Sequence, residues 1–308
     1  MQLPFRYLDS VAFIFCRAPE GLRPIGTGFF IELVDAYDGA AIMSNYFVTA
    51  RHVIENATSK LGAQSIVIRV NELRDGVKEV ELPVSEFFQS LREGSADVTI
   101  ARYSTPSALS GIAPVALWKE PIFADMNIGI GSKTLTVGLF HRIINKNRNV
   151  PIVRTGSIAA MPFEPIDTGY GDATMYIIEA RSIGGLSGAP VFVEIPGWEK
   201  PKTFTGVTEN YFGGVPGRTP GLAFETKIEM TSTYKLIGLT HGHWDARLSA
   251  QPSGRYEVSR EDLERINEGL SLVTPVARVR ELLEEDHMRE ELETYAKKYL
   301  ETFKNRGK

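Results

Sequence analysis

The chain has 308 residues, of which 43% are hydrophobic, and a formal net charge of −4 at pH 7. This length can bury one large core or two medium ones, so about two domains are expected. The negative charge excludes a general electrostatic attraction to nucleic acid or to anionic membranes. Cys16 is the only cysteine, so no intrachain disulfide can form and a cytoplasmic location is predicted.

The first predicted element is a strand over residues 11–16. This short apolar run follows Asp9 closely and is not followed by a small-residue cleavage site, which makes it a poor signal peptide. Five more β-rich runs separated by turn residues continue to residue 103. Six strands with no helix of length between them favour a small antiparallel barrel or sandwich. The runs read VAFIFC, GTGFFIEL, NYFVTARHV, SIVIRV, VKEVELP and DVTIARY.

Two of these runs carry side chains that could do chemistry. His52 comes just past the end of an apolar strand, and Asp97 stands where a loop enters a buried strand. Taken alone, His52 is better interpreted as a structural histidine and Asp97 as an ordinary turn residue. Their meaning depends on the second half of the chain.

The sequence Gly-Gly-Leu-Ser-Gly-Ala-Pro, residues 184–190, runs directly into an apolar strand. A serine between glycines is held on a tight, exposed turn. The backbone N–H groups of Gly185 and Ser187 could bind the oxyanion that forms when the Ser187 hydroxyl attacks a carbonyl. Glycine-rich turns before strands are common, so this segment alone does not establish a nucleophile.

His52, Asp97 and Ser187 follow one another in the order His, Asp, Ser, at spacings of 45 and 90 residues. This is the order of chymotrypsin-like enzymes and differs from that of subtilisins and α/β-hydrolases. The segments GTGFF, FVTARHV, ADVTIA and GLSGAPVF resemble the signature segments of the trypsin-like (chymotrypsin-fold) serine peptidases. The disulfide-free style is most similar to the bacterial high-temperature-requirement and glutamyl-endopeptidase branches, here without a PDZ domain.

The resemblance implies a mainly β fold of two six-stranded antiparallel barrels, with the active site between them and a C-terminal helical extension. The first barrel would occupy residues 1–115, the second 116–274 and the helices 275–308. Two insertions, residues 194–234 and 245–269, would interrupt the second barrel. Predicted strands of that barrel are residues 134–140, 153–160, 175–180, 189–193 and 236–240.

The family mechanism implies a serine endopeptidase that needs no cofactor and no metal. His52 would be the general base, Asp97 would orient it, and Ser187 would attack the peptide bond with Gly185 and Ser187 forming the oxyanion hole. Leu186 replaces the aspartate through which vertebrate digestive enzymes are activated by a new N-terminus. We therefore predict no zymogen cleavage of that type.

The resemblance also places five residues in the primary specificity pocket of a protein or peptide substrate. Arg181 would lie near its base, and Thr240, His241, Gly242 and His243 would form its edge. A cation and two histidines would favour an acidic substrate residue, whereas an Arg181 side chain pointing to solvent would not.

The chain is predicted to end in a long helix. Thr274 can cap it, with Pro275 at its first position. A phase slip near His287 separates a second amphipathic helix, which either docks on the body or mediates self-association. The 194–234 insertion is interpreted as a lid, as a partner-docking surface or as a solvated excursion.

Other functions compete with the peptidase. The H-x-H-x-D pattern of residues 241–245 resembles a metal loop of metallo-β-lactamase-fold hydrolases, but Ala246 stands where a further histidine is needed. An α/β-hydrolase is disfavoured because Ala189 breaks G-x-S-x-G. The serious alternative is a catalytically latent trypsin-fold binding or scaffold protein. A small-ester hydrolase without peptidase activity is a lesser variant.

Overall fold

The structure is a computed structural model, and its described residues are mainly β, with one closed barrel, one curled sheet and C-terminal helices. Within them, no helix combines the length and the hydrophobicity needed to cross a membrane. The structure describes residues 5–37, 40–72, 76–90, 96–103, 112, 114–116, 128–140, 143–145, 147–168, 172–180, 185–198, 230–245 and 267–306.

The first half of the chain forms an antiparallel sheet in the order β5-β4-β1-β2-β3-β7-β6, with β8 added in parallel beside β2. Each of the six runs predicted from the sequence overlaps one of these strands, so those six strands are confirmed, and β6 and β8 are two that the sequence did not predict. The strands are β1 Val11–Ala18, β2 Gly21–Tyr37, β3 Ala40–Thr49, β4 Ser65–Asn71, β5 Val77–Pro83, β6 Phe87–Phe88, β7 Thr99–Arg102 and β8 Val115–Ala116.

The expectation that no helix of length interrupts these strands is wrong. Besides a short α1 (Phe5–Leu8), the chain forms the eleven-residue helix α2 (Arg51–Leu61) directly after β3. Its buried residues Val53, Ile54 and Ala57 recur at helical spacing, and the helix ends at Gly62 in a left-handed conformation with φ 66°. A single turn of 3₁₀ helix, Val84–Glu86, precedes β6.

The second half of the chain closes into a six-stranded antiparallel barrel in the order β10-β13-β16-β15-β14-β9. The five strands predicted there are confirmed, and β16 is a sixth that the sequence did not predict. A hairpin of β11 and β12 lies outside the barrel. The strands are β9 Lys133–Gly138, β10 Ile152–Ala160, β11 Pro165–Asp167, β12 Asp172–Thr174, β13 Tyr176–Glu179, β14 Pro190–Trp198, β15 Met230–Asp245 and β16 Asn267–Pro275.

The C-terminal helices are α3 (Val276–Leu283) and α4 (Asp286–Arg306). The break between them confirms the predicted phase slip near His287. The predicted cap is wrong: Pro275 is at the N-cap without a side-chain cap bond, and Thr274 belongs to β16, opposite Leu239.

Helix α4 docks on the body of the protein, as one of the two alternatives had it. Met288 and Ala296 are buried, and the Arg102 guanidinium lies 3.2 Å from the ring centroid of Tyr295 while donating to Glu291 at 3.1 Å. This contact joins the helix to β7 of the first sheet.

One continuous cluster of buried side chains extends through both sheets, so the two halves share a core. Near the N-terminus, the Tyr7 hydroxyl donates to the Tyr234 carbonyl at 3.0 Å and its ring packs edge-on against Phe192. The two predicted insertions are shorter than expected, because β14 extends to Trp198, β15 covers Met230–Asp245 and β16 begins at Asn267. The sequence also predicts a short helix in the second insertion and a proline-containing linker between the two barrels over residues 103–121. That helix, most of that linker and residues 199–229 of the predicted lid lie outside the described residues.

Candidate functional site

His52 and Asp97 lie together because β3 and β7 are paired antiparallel, so that the end of β3 lies beside the start of β7. Thr49 is opposite Thr99 in the ladder; His52 follows Thr49 by three residues on α2, and Asp97 precedes Thr99 by two. The His52 backbone N–H donates to Asp97 Oδ1 at 2.8 Å, and His52 Nδ1 lies 2.7 Å from Asp97 Oδ2. Two bonds to one carboxylate therefore fix both the start of the helix and the imidazole ring.

A second histidine shares this carboxylate. His241, on β15 of the barrel, places its Nδ1 2.5 Å from the same Asp97 Oδ2, and the centroids of its ring and the His52 ring are 5.3 Å apart. His241 and Asp97 are each only 8% exposed, whereas the His52 side chain is 30% exposed. Asp97 thus joins the two halves of the molecule.

The Asp97 carboxyl is held as an anion. Burial by itself would raise its pKa, but the hydrogen bonds from His241 and from His52, together with the charges of those rings, bring the pKa well below the usual range of an aspartate. Because an ionised carboxylate only accepts, both ring Nδ1 atoms facing it must carry a hydrogen. The Nε2 atom of each neutral ring is then a hydrogen-bond acceptor.

Ser187 lies on a turn in which two positions, Gly185 and Gly188, have backbone conformations that favour glycine. Gly185 and Gly188 have φ values of 98° and 80°, in the region that side chains other than glycine rarely adopt. A Cβ at Gly188 would lie 2.3 Å from the Thr27 carbonyl oxygen and 2.3 Å from Thr49 Oγ1. The turn therefore sits directly against two strands of the first sheet.

Thr27, on β2, anchors this turn. Its N–H donates to the Ser187 carbonyl at 3.0 Å, and its Oγ1 donates to the Gly185 carbonyl at 2.7 Å. The same Oγ1 accepts from the Leu139 N–H at 2.9 Å. Among the hydrogen bonds of the described residues, none uses the N–H of Gly185 or Ser187, the two predicted oxyanion donors.

The Ser187 turn is close to the start of α2. A Cβ built at Gly26 would lie 3.2 Å from the Ser187 carbonyl oxygen and 2.9 Å from Val53 Cγ1, the residue after His52. Ser187 itself is partly exposed. Within the part of the chain that the structure describes, no hydrogen bond joins the Ser187 hydroxyl to His52. The structure thus brings His52, Asp97 and His241 into direct contact and the serine turn alongside them.

Of the five residues predicted for the specificity pocket, the structure describes the side-chain surroundings of only some. Arg181 and the side chain of His243 lie outside the described residues. Thr240 is buried, with its N–H bonded to the Ala189 carbonyl at 2.8 Å, and a Cβ added at Gly242 would meet nothing within 4 Å. The contact of His241 with Asp97 was not foreseen, since nothing in the H-x-H pattern identifies its partner.

Leu186 fills an apolar position beneath the turn. It is 2% exposed, and its Cδ2 would lie 2.9 Å from a Cβ built at Gly138. An apolar side chain at this position cannot form an activation ion pair, and the mode of activation stays a prediction.

The described residues contain one group of three side chains whose donor atoms converge as metal ligands would. These are His52, Asp97 and His241, with one ligand atom from each lying within 4.8 Å of the others. The H-x-H-x-D hypothesis instead combined His241 with His243 and Asp245, whose side chains lie outside the described residues.

No protein-family model matches this sequence, and no curated protein matches it with significant similarity.

Proposed function

We propose that the protein is a serine endopeptidase that hydrolyses peptide bonds through a Ser187–His52–Asp97 triad. In this proposal the curled sheet and the closed barrel are the two halves of a chymotrypsin-like double barrel. The substrate is a protein or peptide segment held in the cleft between them.

One observation carries the proposal: Asp97 holds His52 through both its backbone N–H and its ring Nδ1. A carboxylate bonded to Nδ1 keeps the neutral imidazole in the tautomer whose Nε2 accepts a proton, and it stabilises the imidazolium that follows. A structural histidine needs no such pair of contacts. The partial exposure of the His52 ring leaves its other edge available to substrate.

In the first half-reaction, His52 Nε2 takes the proton of the Ser187 hydroxyl while Oγ attacks the peptide carbonyl carbon. The tetrahedral intermediate collapses as the imidazolium returns that proton to the leaving amine. This leaves an acyl ester on Ser187. A water molecule then repeats the sequence, giving up a proton to His52, and the ester breaks to release the carboxylic acid and regenerate the serine.

The negative charge on the intermediate needs donors that are already in position. Thr27 fixes the carbonyl groups of Gly185 and Ser187. With those carbonyls engaged by the first sheet, the N–H groups of the same two residues serve as the oxyanion donors. Removing one such donor typically costs about 2.7–4 kcal/mol of transition-state stabilisation, so the turn matters almost as much as the triad.

A fluorophosphonate probe tests the nucleophile directly. We expect wild-type protein to be labelled at Ser187, as located by mass spectrometry, and His52→Ala to lose the labelling. His287→Ala is the matched control, since His287, at the start of α4, contacts Glu285 and the Phe88 ring and not Asp97, and should not affect the rate. Absence of labelling in folded, chelator-treated wild type, or equal labelling of His52→Ala, would refute a base-activated Ser187 and favour the latent binding protein.

Turnover of an unfolded protein separates an endopeptidase from an esterase. Wild-type protein should cleave fluorescently labelled casein, and Ser187→Ala should not. Hydrolysis of a nitrophenyl ester without cleavage of casein would replace the endopeptidase with a small-ester hydrolase.

A further inference from the structure

The shared carboxylate of the site has ligand chemistry that the peptidase mechanism does not use. Asp97 supplies one oxygen, and His52 and His241 each direct a ring nitrogen at that same oxygen, at 2.7 and 2.5 Å. Two imidazole nitrogens and one carboxylate oxygen form a ligand set typical of Zn²⁺, whereas Mg²⁺ and Ca²⁺ prefer oxygen ligands.

We propose that His52, Asp97 and His241 bind a divalent transition-metal ion, with Zn²⁺ the best fit, and that the bound ion switches the peptidase off. The inhibitory half of this inference rests on the proposed function. The binding half does not, because it requires only the three side chains.

The geometry needs little adjustment to accept an ion. Ligand atoms about 2.0–2.1 Å from a tetrahedral Zn²⁺ are separated from one another by about 3.3 Å. The two ring nitrogens lie 2.7 and 2.5 Å from Asp97 Oδ2, so each has to move back from that oxygen by less than about 1 Å. All three atoms lie within 4.8 Å of one another, so no pair has to approach by more than about 1.5 Å. The ligands come from α2, from the segment just before β7 and from β15, three separate segments that surround one point.

Access and burial are also suitable. Asp97 and His241 are almost fully buried, and such surroundings exclude the competing water that weakens exposed ligands. The His52 side chain is 30% exposed, which gives an ion a route to the site from solvent. Water would complete the fourth position of the tetrahedron, as in zinc sites that keep an open coordination position.

Metal binding would prevent His52 from acting as the general base by changing its tautomer. In the catalytic arrangement His52 carries its proton on Nδ1 and accepts at Nε2. An ion bound to Nδ1 needs the lone pair of that nitrogen, so the neutral ring must carry its proton on Nε2 instead. The proton moves within the ring and none is lost, but Nε2 now donates and cannot take the proton of Ser187. His241 undergoes the same change of tautomer without a role in proton transfer.

The binding test uses the full chain, treated with a chelator and then desalted, and titrated with Zn²⁺ alone by calorimetry. Co²⁺ is titrated in parallel, because its visible absorption reports tetrahedral coordination. We expect wild type and Ser187→Ala to bind one ion with equal affinity. His241→Gln and His52→Gln should each bind at least about tenfold more weakly, and the control His287→Gln should match wild type. Circular dichroism checks that each variant is folded.

Failure of wild type to bind saturably would overturn the proposal. So would an affinity that is retained in both His241→Gln and His52→Gln, because the ion would then lie elsewhere. Using two ligand variants keeps the test decisive if one of them does not fold.

The inhibitory half is tested by the rate of fluorophosphonate labelling at Ser187. Labelling should fall at the Zn²⁺ concentration that fills the site and recover on addition of chelator. Unchanged labelling of the zinc-loaded protein would overturn the inhibition. Zinc binding at the three residues in a protein that is never labelled, even with chelator, would overturn both the inhibition and the proposed function while the metal site stands.

Discussion

The turn that carries Ser187 should be unusually sensitive to one methyl group. We predict that Gly188→Ala destabilises the protein and displaces Ser187, the proposed nucleophile, whereas Gly62→Ala does neither to the same degree. Both glycines have positive φ, 80° at Gly188 and 66° at Gly62. They differ in surroundings, because a Cβ at Gly62 meets nothing within 4 Å.

The two terms of the expected cost can be separated. A left-handed backbone at a residue other than glycine costs about 1–2 kcal/mol, and both variants incur this cost. At Gly188 the new Cβ would also lie 2.3 Å from the Thr27 carbonyl oxygen, 2.3 Å from Thr49 Oγ1 and 2.9 Å from the Ala50 nitrogen. Relieving such overlap by backbone movement typically costs a further 1–3 kcal/mol, roughly. Gly188→Ala should therefore lose about 2–5 kcal/mol and Gly62→Ala about 1–2 kcal/mol.

Urea unfolding of the two variants and wild type measures these losses as shifts of the midpoint at unchanged m. Fluorophosphonate labelling then reports the turn itself: Gly188→Ala should be labelled at least about tenfold more slowly, because about 1.4 kcal/mol of misplacement already gives that factor. Gly62→Ala should be labelled at the wild-type rate. Equal destabilisation of the two variants would refute the close approach of the turn to β2 and β3.

Three further predictions concern the contacts around the site. Thr27→Val keeps the shape of the side chain but leaves the Leu139 N–H and a carbonyl of the serine turn without their partner, which should cost about 2 kcal/mol or more in urea unfolding; an unchanged midpoint would contradict the anchor. The lowered pKa of Asp97 means that its carboxylate contributes stability above the unfolded value of 3.8 and that this contribution is lost as the pH falls below it, by up to about 1.4 kcal/mol per pH unit. Asp97→Asn, measured with chelator present, should flatten that acid limb. Tyr295→Leu removes the ring that packs under the Arg102 guanidinium and should lower the free energy of unfolding by about 1 kcal/mol in thermal unfolding. Arg102→Ala removes the same contact and also the hydrogen bond to Glu291, so a smaller loss for Arg102→Ala than for Tyr295→Leu would contradict the pairing.

Most strands could be predicted because their signal is local. An apolar run bounded by turn residues indicates a strand whichever strand it pairs with. Each of the eleven runs predicted in this way overlaps an observed strand. Strand β16 was missed for the converse reason. It begins with Asn267, and its pairing with β13 and β15 joins it to segments that are distant in sequence. Thr274 followed by Pro275 also fits a helix start, so the local pattern favoured the wrong element.

Helix α2 was missed although its signals are local. The predicted run covers residues 45–53, and its apolar residues 46–48 favoured a strand that ends just before His52, with no helix after it. The decisive features come later, with Ala57 in phase and Gly62 as the terminator. The change from one element to the next at Ala50 has no side-chain cap to mark it.

Part of the candidate site could also be predicted from local sequence patterns, and part depends on contacts between distant segments. The turn at Ser187 and the ends of β3 and β7 are local patterns, and their order along the chain suggested their chemistry. The partner of His241 is set instead by the fold of the barrel. The register of β15 against β16 shifts at this residue, with an irregularity between Thr240 and Gly242. Such a shift decides which side chain faces the first sheet, and the sequence does not signal it.

The position of His241 changes how activity should be sought. A histidine at the edge of a specificity pocket would act on substrate choice, and its loss would alter cleavage preference. In the proposed mechanism, a histidine bonded to Asp97 Oδ2 would act on the general base itself, because the carboxylate bonded to His52 is also held by the second ring. The same contacts supply three ligands for a transition metal. Protein purified over an immobilised metal column, or assayed without a chelator, could therefore carry an ion that forces the inactive tautomer of His52. The chelator-treated chain is the state in which the peptidase hypothesis should be judged.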